Sequence, residues 1–442
     1  MTPGKRKGKG FKDRLLAHFR RLGARFWITF LLACAIVQGA EIAVEKLLTS
    51  TGNNSEIASS LVVATGLYQS IVTFPRAPLV RSIAIVEIDP SKDLQGVSNA
   101  DVCQERAFLA QLLSRIEESS PAVIVIDKYF GTDPSCLKDS VGTQALRNKI
   151  QEIRSKGLPV VVGVKADVSK SGDSAKSVIE PSLAFAGPNA ASQEGILNIA
   201  ADYRRLPLQW NVYTDEQSLE QGGTPVVRDS LALVTVKLFD ATATQQNSRL
   251  NRILAEGKQP FIAFIQSGQF LNAHYYASEL VCPDAGKSDD WRKCKRPSGR
   301  LPGLQNRIVL VGETTANTDQ HYILTDRVAG FYLQANYIEA LLDDRFYTPS
   351  PPPLDYGFAF AFLFVLELIL IRCEHHPAHA IILIIALTAT SALVLYFVIL
   401  LFGTYIDPLP VSLIAVLIKL SHLIHTQVRP GIMSRRSPTQ PG

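Results

Sequence analysis

Long uncharged apolar runs near the C-terminus constrain this chain more than any other feature of its sequence. They cover residues 354–371, 378–402 and 409–424. A helix needs about 20 apolar residues to cross about 30 Å of hydrocarbon, and each run approaches or exceeds that length. The runs therefore predict three α-helical transmembrane spans, followed by a short tail, 425–442.

A fourth candidate span, residues 26–44, lies near the N-terminus and carries Gln38 and Glu41 in its second half. The leader before it, 1–25, contains nine Lys or Arg residues and one acidic residue, Asp13. Because strongly basic flanks stay in the cytoplasm, this segment is predicted to anchor the chain with its N-terminus inside. A signal peptide cleaved near the small residues ACA is the alternative.

Alternation from that anchor gives the topology of the rest of the chain. It places a large domain, roughly 50–350, outside the cell and the tail with Arg429, Arg435 and Arg436 inside. The sequence thus predicts a multi-pass protein of the bacterial cytoplasmic membrane with a large extracytoplasmic domain. The net charge of +5 is concentrated in the cytoplasmic ends, so nucleic-acid binding is not indicated, and no cofactor is predicted.

The large domain contains short runs rich in Val and Ile that alternate with helical patterns. Nearly continuous apolar strands are typical of a sheet covered on both faces. The pattern predicts an α/β fold, with a mixed or parallel sheet and flanking helices. The predicted strands are 83–89, 122–127, 159–164, 261–265 and 307–312, and the predicted helices are 104–119 and 143–157.

Two of the predicted strands end in acids, Asp89 and Asp127. Ligands gather at the carboxyl ends of strands in open α/β sheets, so these two carboxylates are candidates for a ligand or metal site. The alternative is that each carboxylate only accepts backbone N–H groups in the turn that follows. The residue pattern alone leaves both interpretations open.

A polar loop, VGETTANTDQH, follows the last predicted strand. It lacks the GKS or GKT of a phosphate-binding P-loop. If the strands run parallel, the loop faces Asp89 and Asp127 across a crevice that would favour a small cationic or hydroxylated ligand or a divalent ion. Simple capping of the strand end is the alternative. The loop residues concerned are Thr314, Thr315, Asn317, Asp319 and His321.

Four cysteines lie in the predicted outer domain, which permits two disulfides with three pairings. A right-handed crossover brings the loops after the first two strands to one edge of the sheet, so we expect Cys103 to pair with Cys136. Cys282 and Cys294 would then close a short hydrophilic loop. Zinc is the competing interpretation, but the paired CxxC spacing of a structural zinc site is missing.

Five blocks of the sequence, taken in order, resemble a known family. They are RSIAIVEIDPS, LLSRIEESSPAVIVIDKYF, GILNIAADYRRLPL, NRIVLVGETTANTDQHYIL and GFYLQANYIEALLDDRF. Their order, one anchor before them and three spans after them are similar to the CHASE family, second type. That family is the extracytoplasmic sensory domain associated with cyclases and histidine kinases. The resemblance assigns the candidate ligand-binding role to Asp89, Asp127, Thr314, Thr315, Asp319 and His321.

The resemblance implies a membrane-anchored sensor of a small ligand or environmental signal. In the family a kinase or cyclase follows the last span, whereas only 18 residues follow Ile424 here. So few residues cannot bury a catalytic core, so we expect the signal to pass to a separate partner such as a kinase or cyclase.

Two other classes compete with a sensor. An extracytoplasmic hydrolase or metal-binding protein would use Asp89, Asp127 and Asp319 around one pocket. A transporter would use Glu367, Lys419 and His422, because ionisable groups inside a bilayer are often functional. Glu367 and Lys419 are alternatively expected to pair with each other. The spans show no internal symmetry, which argues against transport, and the sequence does not predict an enzyme.

Overall fold

The computed structural model describes residues 82–89, 102–131, 136, 140–171, 174–187, 189–200, 203–265, 270, 273–281, 299–314, 320–323, 326–373 and 376–406. The described residues divide between Pro349 and Ser350 into two compact units. The first unit is built around a six-stranded sheet and the second contains two long apolar helices.

The central sheet of the first unit is entirely parallel in its six described strands. In spatial order they are β10 (His274–Tyr276), β1 (Ile83–Ile88), β11 (Ile308–Glu313), β2 (Val123–Tyr129), β3 (Val160–Val164) and β6 (Glu194–Ile196). The long strands β1, β11 and β2 are neighbours in the middle, where apolar residues on both faces are covered. This is why their sequences are nearly continuous Ile, Val and Leu.

Successive residues of these strands enter two different cores. Ile83, Ile85 and Leu310 belong to one apolar cluster, whereas Ala84 and Val309 belong to the other. One face packs against α1 (Val102–Glu117), α2 (Val141–Ser155) and α7 (Ala277–Val281), and the opposite face packs against α4 (Leu231–Phe239), α6 (Ser248–Ala255) and α8 (Gly330–Leu342). The remaining short helices are α3 (Glu216–Glu220) and α5 (Ala241–Gln246).

Smaller sheets surround this core. A four-stranded sheet has the order β4 (Ala166–Ser171), β5 (Ser174–Ile179), β7 (Gln209–Tyr213) and β8 (Val226–Asp229). An antiparallel pair, β12 (Gln320–Ile323) and β13 (Asp326–Ala329), leads directly into α8. Another antiparallel pair joins β9 (Phe261–Ile262) to β14 (Phe346–Pro349). Single 3₁₀ turns lie at Ala190–Gln193 and Pro302–Leu304.

The α/β prediction with a parallel sheet and flanking helices is confirmed. One predicted strand differs. Of the run 261–265 only Phe261 and Ile262 are in a strand, and they lie outside the central sheet. The rest of the run is bonded elsewhere, because the Ile265 N–H donates to the Asn336 side chain and the Ala263 N–H donates to the Arg345 carbonyl.

The second unit contains α9 (Pro352–Arg372) and α10 (Pro377–Phe402), followed by the short strand β15 (Thr404–Tyr405). Proline in the first turn starts each helix, and Gly403, with φ of 61°, ends α10 in the left-handed conformation. By length and composition both helices could cross a membrane. The predicted segments 1–25, 26–44, 409–424 and 425–442, with Lys419 and His422, lie outside the described residues.

Candidate functional site

The carboxyl ends of the three central strands meet at one edge of the sheet. Glu87 of β1 stands in register with Gly312 of β11, and Gly312 stands in register with Asp127 of β2. Because all three strands run parallel, Asp89 and Thr314, which follow β1 and β11, emerge at this same edge. The sequence-based expectation about strand direction is therefore met.

A cleft of about 410 Å³ opens at this edge. Asp127 and Lys128 of β2 and Glu313 of β11 line it, together with the residues that follow β3 and β6. Its walls combine charged groups with apolar ones. The other lining residues are Tyr129, Lys165, Leu197, Asn198, Ile199, His321, Gly330, Phe331 and Gln334.

The predicted ligand residues divide between the cleft and its surroundings. Asp127 and His321 both line the cleft, and the His321 ring packs edge-on against Tyr203 with ring centroids 5.8 Å apart. Asp89 and Thr314 are not among the lining residues. Thr315, Asn317 and Asp319 lie outside the described residues, as do Cys282 and Cys294.

The cations of the cleft have acidic partners. Lys128 lies between Glu105 of α1 and Glu313 of β11, forming an ion pair with each and approaching Glu313 to 2.8 Å. Lys165 pairs with Glu180 at 3.0 Å. Both lysines are partly exposed, and solvent screening weakens ion pairs of this kind.

The first turn of α8 forms another wall of the cleft. The helix begins at Gly330 with Ala329 as its N-cap, which has no side-chain oxygen to accept the first N–H groups. This end of a helix carries partial positive charge. Gln334, one turn further on, is buried and donates to the Leu197 carbonyl at 3.2 Å, which ties α8 to the segment after β6.

A second polar cluster, centred on Glu87, lies at the same edge. One carboxylate oxygen accepts the Thr314 hydroxyl at 2.5 Å, and the other lies 2.6 Å from His274 Nε2 and 3.4 Å from the Tyr332 hydroxyl. Burial alone would raise the pKa of Glu87, but the hydrogen bonds from His274 and Thr314 outweigh it and hold the pKa below its ordinary value. Asp89 opposes them through like-charge repulsion. Glu87 thus joins β1, β10, the loop after β11 and α8.

Sequence reasoning missed Glu87 and His274. A usable signal was present, because Glu87 is the one ionisable residue inside the otherwise apolar run IAIVEI. A charged residue within a buried strand needs a partner. His274 had no such signal, since the short edge strand β10 is not an apolar run.

The predicted pair Cys103 and Cys136 lies at disulfide distance, with Cα atoms 5.2 Å apart. It ties the start of α1 to the segment after β2. The buried Arg106 supports the same place by donating to the carbonyls of Gly131 at 2.9 Å and Cys136 at 3.3 Å. Both cysteines follow the carboxyl ends of their strands, as the crossover argument expects.

Among the described residues, no group of three or more His, Cys, Asp or Glu side chains is arranged to hold a metal ion. The hydrolase hypothesis required Asp89, Asp127 and Asp319 around one pocket. Of these, Asp127 lines the cleft and Asp89 does not, while Asp319 is not described. In the second unit Glu367 is buried within α9.

Comparison with known proteins identifies the family. The model of the CHASE2 domain matches residues 57–369, which is more than half of the chain. CHASE2 is an extracellular sensory domain family whose members are typically associated with signalling kinases or cyclases. No curated protein and no solved structure matches the chain significantly. The chain belongs to the CHASE2 domain family.

Proposed function

We propose that this protein is a membrane-anchored extracytoplasmic sensor that binds a small ligand in the cleft at the carboxyl edge of its parallel sheet. The observation that carries the proposal is that one helix, α8, both lines the cleft and leads along the chain to α9. Gly330, Phe331 and Gln334 at its start line the cleft. Its end, Leu342, is separated from the start of α9 by nine residues, 343–351.

The burial of α8 and its hydrogen bonds to neighbouring segments favour movement of the whole helix as one rigid body. It is buried along nearly its whole length. Three of its side chains bond to the backbone of surrounding segments: Gln334 to Leu197, Asn336 to Ile265 at 2.8 Å and Tyr337 to Tyr203 at 2.5 Å. Packed interfaces of this kind shift between discrete arrangements and do not deform continuously.

Membrane anchoring is supported by α9 and α10, which have the length and composition of spans. The basic leader supports a cytoplasmic N-terminus and a sensor domain outside the cell. A reporter fused after Gly442 should be cytoplasmic, and one inserted in the loop 282–294 should be extracytoplasmic. Opposite labelling at either position would overturn this topology.

The ligand is proposed to be a small polar molecule with a hydroxyl or ammonium group. Asp127 and Glu313 offer carboxylates to such a donor, and Leu197, Ile199 and Phe331 offer an apolar wall. The signal would pass to a separate partner such as a kinase or cyclase, the signalling proteins with which CHASE2 domains are typically associated.

A screen for thermal stabilisation of the full chain by amino acids, amines and polyols tests the cleft. A compound that raises the Tm of the wild type should lose its effect in Asp127→Asn. The matched control is Asp229→Asn. Asp229 lines a different cleft, of about 490 Å³, beside β8 and α4. Equal loss in both variants, or in the control alone, would contradict the assignment of the site.

A further inference from the structure

A buried carboxylate, Glu339, lies near the C-terminal end of α8, away from the cleft. Its side chain is fully buried. One oxygen, Oε1, accepts the backbone N–H groups of Ser82 at 3.2 Å and Ile83 at 3.0 Å. Through these two bonds α8 holds the start of β1, a strand that carries Glu87 near its other end. The other oxygen, Oε2, is buried and has no hydrogen-bond partner among the described residues.

An ionised carboxylate in this position is unfavourable for two reasons. Transfer from water to a buried site penalises the charged form, and no described residue donates a hydrogen bond to Oε2 to offset the penalty. Asp343, the residue that caps the C-terminal end of α8, adds like-charge repulsion. Burial and Asp343 together raise the pKa of Glu339 to about 7, against the smaller opposing effects of the Ile83 and Ser82 N–H groups and of Arg345.

The charge of Arg345 lowers the pKa of Glu339, but by less than burial and Asp343 raise it. Arg345 is buried, and its guanidinium donates through Nη1 to the Ala263 carbonyl and pairs through Nε with Asp343 at 3.3 Å. Its Nη2 has no hydrogen-bond partner among the described residues. Burial lowers the pKa of Arg345, and the charge of Tyr347 of β14 opposes this lowering. The start of β1 presents backbone N–H groups to Glu339, and β9 presents a carbonyl to Arg345.

The other elements packed on α8 place their described charged groups elsewhere. Glu313 of β11 is at the opposite edge of the sheet, and Arg307, just before β11, is partly exposed. Lys237 of α4 pairs with Asp229. Arg327 of β13 is exposed, and His321 of β12 lines the cleft.

We propose that Glu339 is a proton-binding site that sets how firmly α8 holds the start of β1. In the acidic form the proton, taken from solvent, is bonded to Oε2, while Oε1 still accepts the two N–H groups of β1. Release of the proton to solvent at higher pH leaves a buried charge and loosens this end of α8. The inference does not depend on a ligand in the cleft.

The sign of the pH dependence follows from the raised pKa. The stabilisation is complete below the unfolded value of about 4.5 and is lost as pH rises through about 7. These two values predict that Glu339 raises the unfolding equilibrium constant by roughly tenfold between pH 6 and pH 8. Other groups titrate in this range, so the quantity to measure is the difference between the wild type and Glu339→Gln.

The test uses the full chain in lipid nanodiscs, melted at pH 6 and pH 8. Glu339→Gln keeps the acceptor for Ser82 and Ile83 but cannot titrate. Its unfolding equilibrium constant should therefore lack the tenfold rise between pH 6 and pH 8 that Glu339 causes. Glu256→Gln, at an exposed residue, should behave as the wild type does. If Glu339→Gln shows the same pH dependence as the wild type, the proposal is wrong.

Infrared spectroscopy of the wild type is a second test, and it does not require the variant to fold. A protonated carboxylic acid in a dry site gives a C=O stretching band distinct from that of exposed acids. The intensity of this band should fall between pH 6 and pH 8, and a folded Glu339→Gln protein should lack this pH-dependent part of the band. Absence of such a band from the wild type at pH 6 would overturn the proposal.

Discussion

The cleft at the carboxyl edge of the six-stranded sheet and the amino edge of β1 differ in how far their charged groups are exposed to solvent. At the carboxyl edge, charged groups from several elements meet in a partly open cleft, where Lys128 is shared between Glu105 and Glu313. At the amino edge of β1, a single acid, Glu339, is fully buried against backbone N–H groups. Exposed ion pairs are worth little and exchange readily, whereas a buried unpaired charge is costly. The first edge is suited to recognition and the second to holding α8 in place.

Removal of the Cys103–Cys136 link should give the largest effect on stability. It tests whether this disulfide stabilises the carboxyl edge of the sheet. The pair closes a separation of 33 residues, for which chain entropy predicts about 3–4 kcal/mol of stabilisation. Replacing both cysteines by serine should lower the free energy of unfolding by that amount. Reductant should have the same effect on the wild type and none on the double variant.

Cys373→Ser is the matched control, since Cys373 is free and buried in the second unit. It should leave the sensitivity to reductant unchanged. Peptide mapping without reductant should recover Cys103 and Cys136 in one linked peptide. Recovery of both as free thiols would contradict the link.

The contact between Gly312 and Phe331 predicts the next largest effect, where β11 meets the start of α8. A Cβ atom on Gly312 would lie 2.4 Å from Phe331 Cβ, an atom that side-chain rotation cannot move away. Gly312→Ala should therefore cost about 2–3 kcal/mol of stability by overpacking. Gly357→Ala is the control, because its Cβ would meet nothing within 4 Å. A Gly312→Ala protein as stable as the wild type would show that α8 is not seated as described.

A smaller effect is expected for Thr314→Val, which removes the hydroxyl bonded to Glu87 without changing the shape of the side chain. Loss of a hydrogen bond to a charged group should cost about 1.5–3 kcal/mol, with the lower end expected because His274 and Tyr332 remain. Thr314→Ser, which keeps the hydroxyl, should restore most of the loss in denaturant titrations at pH 7.

The same variant sharpens the contrast in pH behaviour between the two edges. The pKa of Glu87 is lowered, so its stabilisation is present above the ordinary carboxyl pKa and is lost as pH falls through the lowered value. Thr314→Val should weaken this loss at low pH, whereas the stabilisation by Glu339 is lost as pH rises through about 7. If Thr314→Val loses stability at low pH as the wild type does, the hydroxyl does not hold Glu87 ionised.

Much of the architecture could be predicted because local pattern and tertiary burial agree. The runs 83–89, 122–127, 159–164 and 307–312 are apolar on both faces, which identifies central parallel strands. The edge strands β6 and β10 were missed because three residues carry no usable period. The run 261–265 was assigned wrongly because its later backbone groups bond to Asn336 and Arg345, partners about 70 to 80 residues away.

The candidate site was predictable only in outline. Strand ends pointed to Asp127, and the loop pointed to His321, which the structure brings to one cleft. Lys165 and Asn198 reach the cleft from segments that follow strands, and Gln334 reaches it from the first turns of α8. Their positions depend on long-range packing, so no local pattern places them at the cleft. Glu339 was likewise hidden, since an acid in a helical pattern is normally a solvent-facing residue.

The most direct test of the central claim, that occupation of the cleft reaches the far end of α8, is a tethered occupant. Lys165→Cys places a thiol at the cleft, and Lys237→Cys places one at the other cleft as a matched control. After reaction with a small thiol reagent, hydrogen exchange of the full chain should change at residues 338–345 for Lys165→Cys and stay unchanged there for Lys237→Cys. Exchange at 338–345 that is the same with and without the tethered group at position 165 would contradict the account.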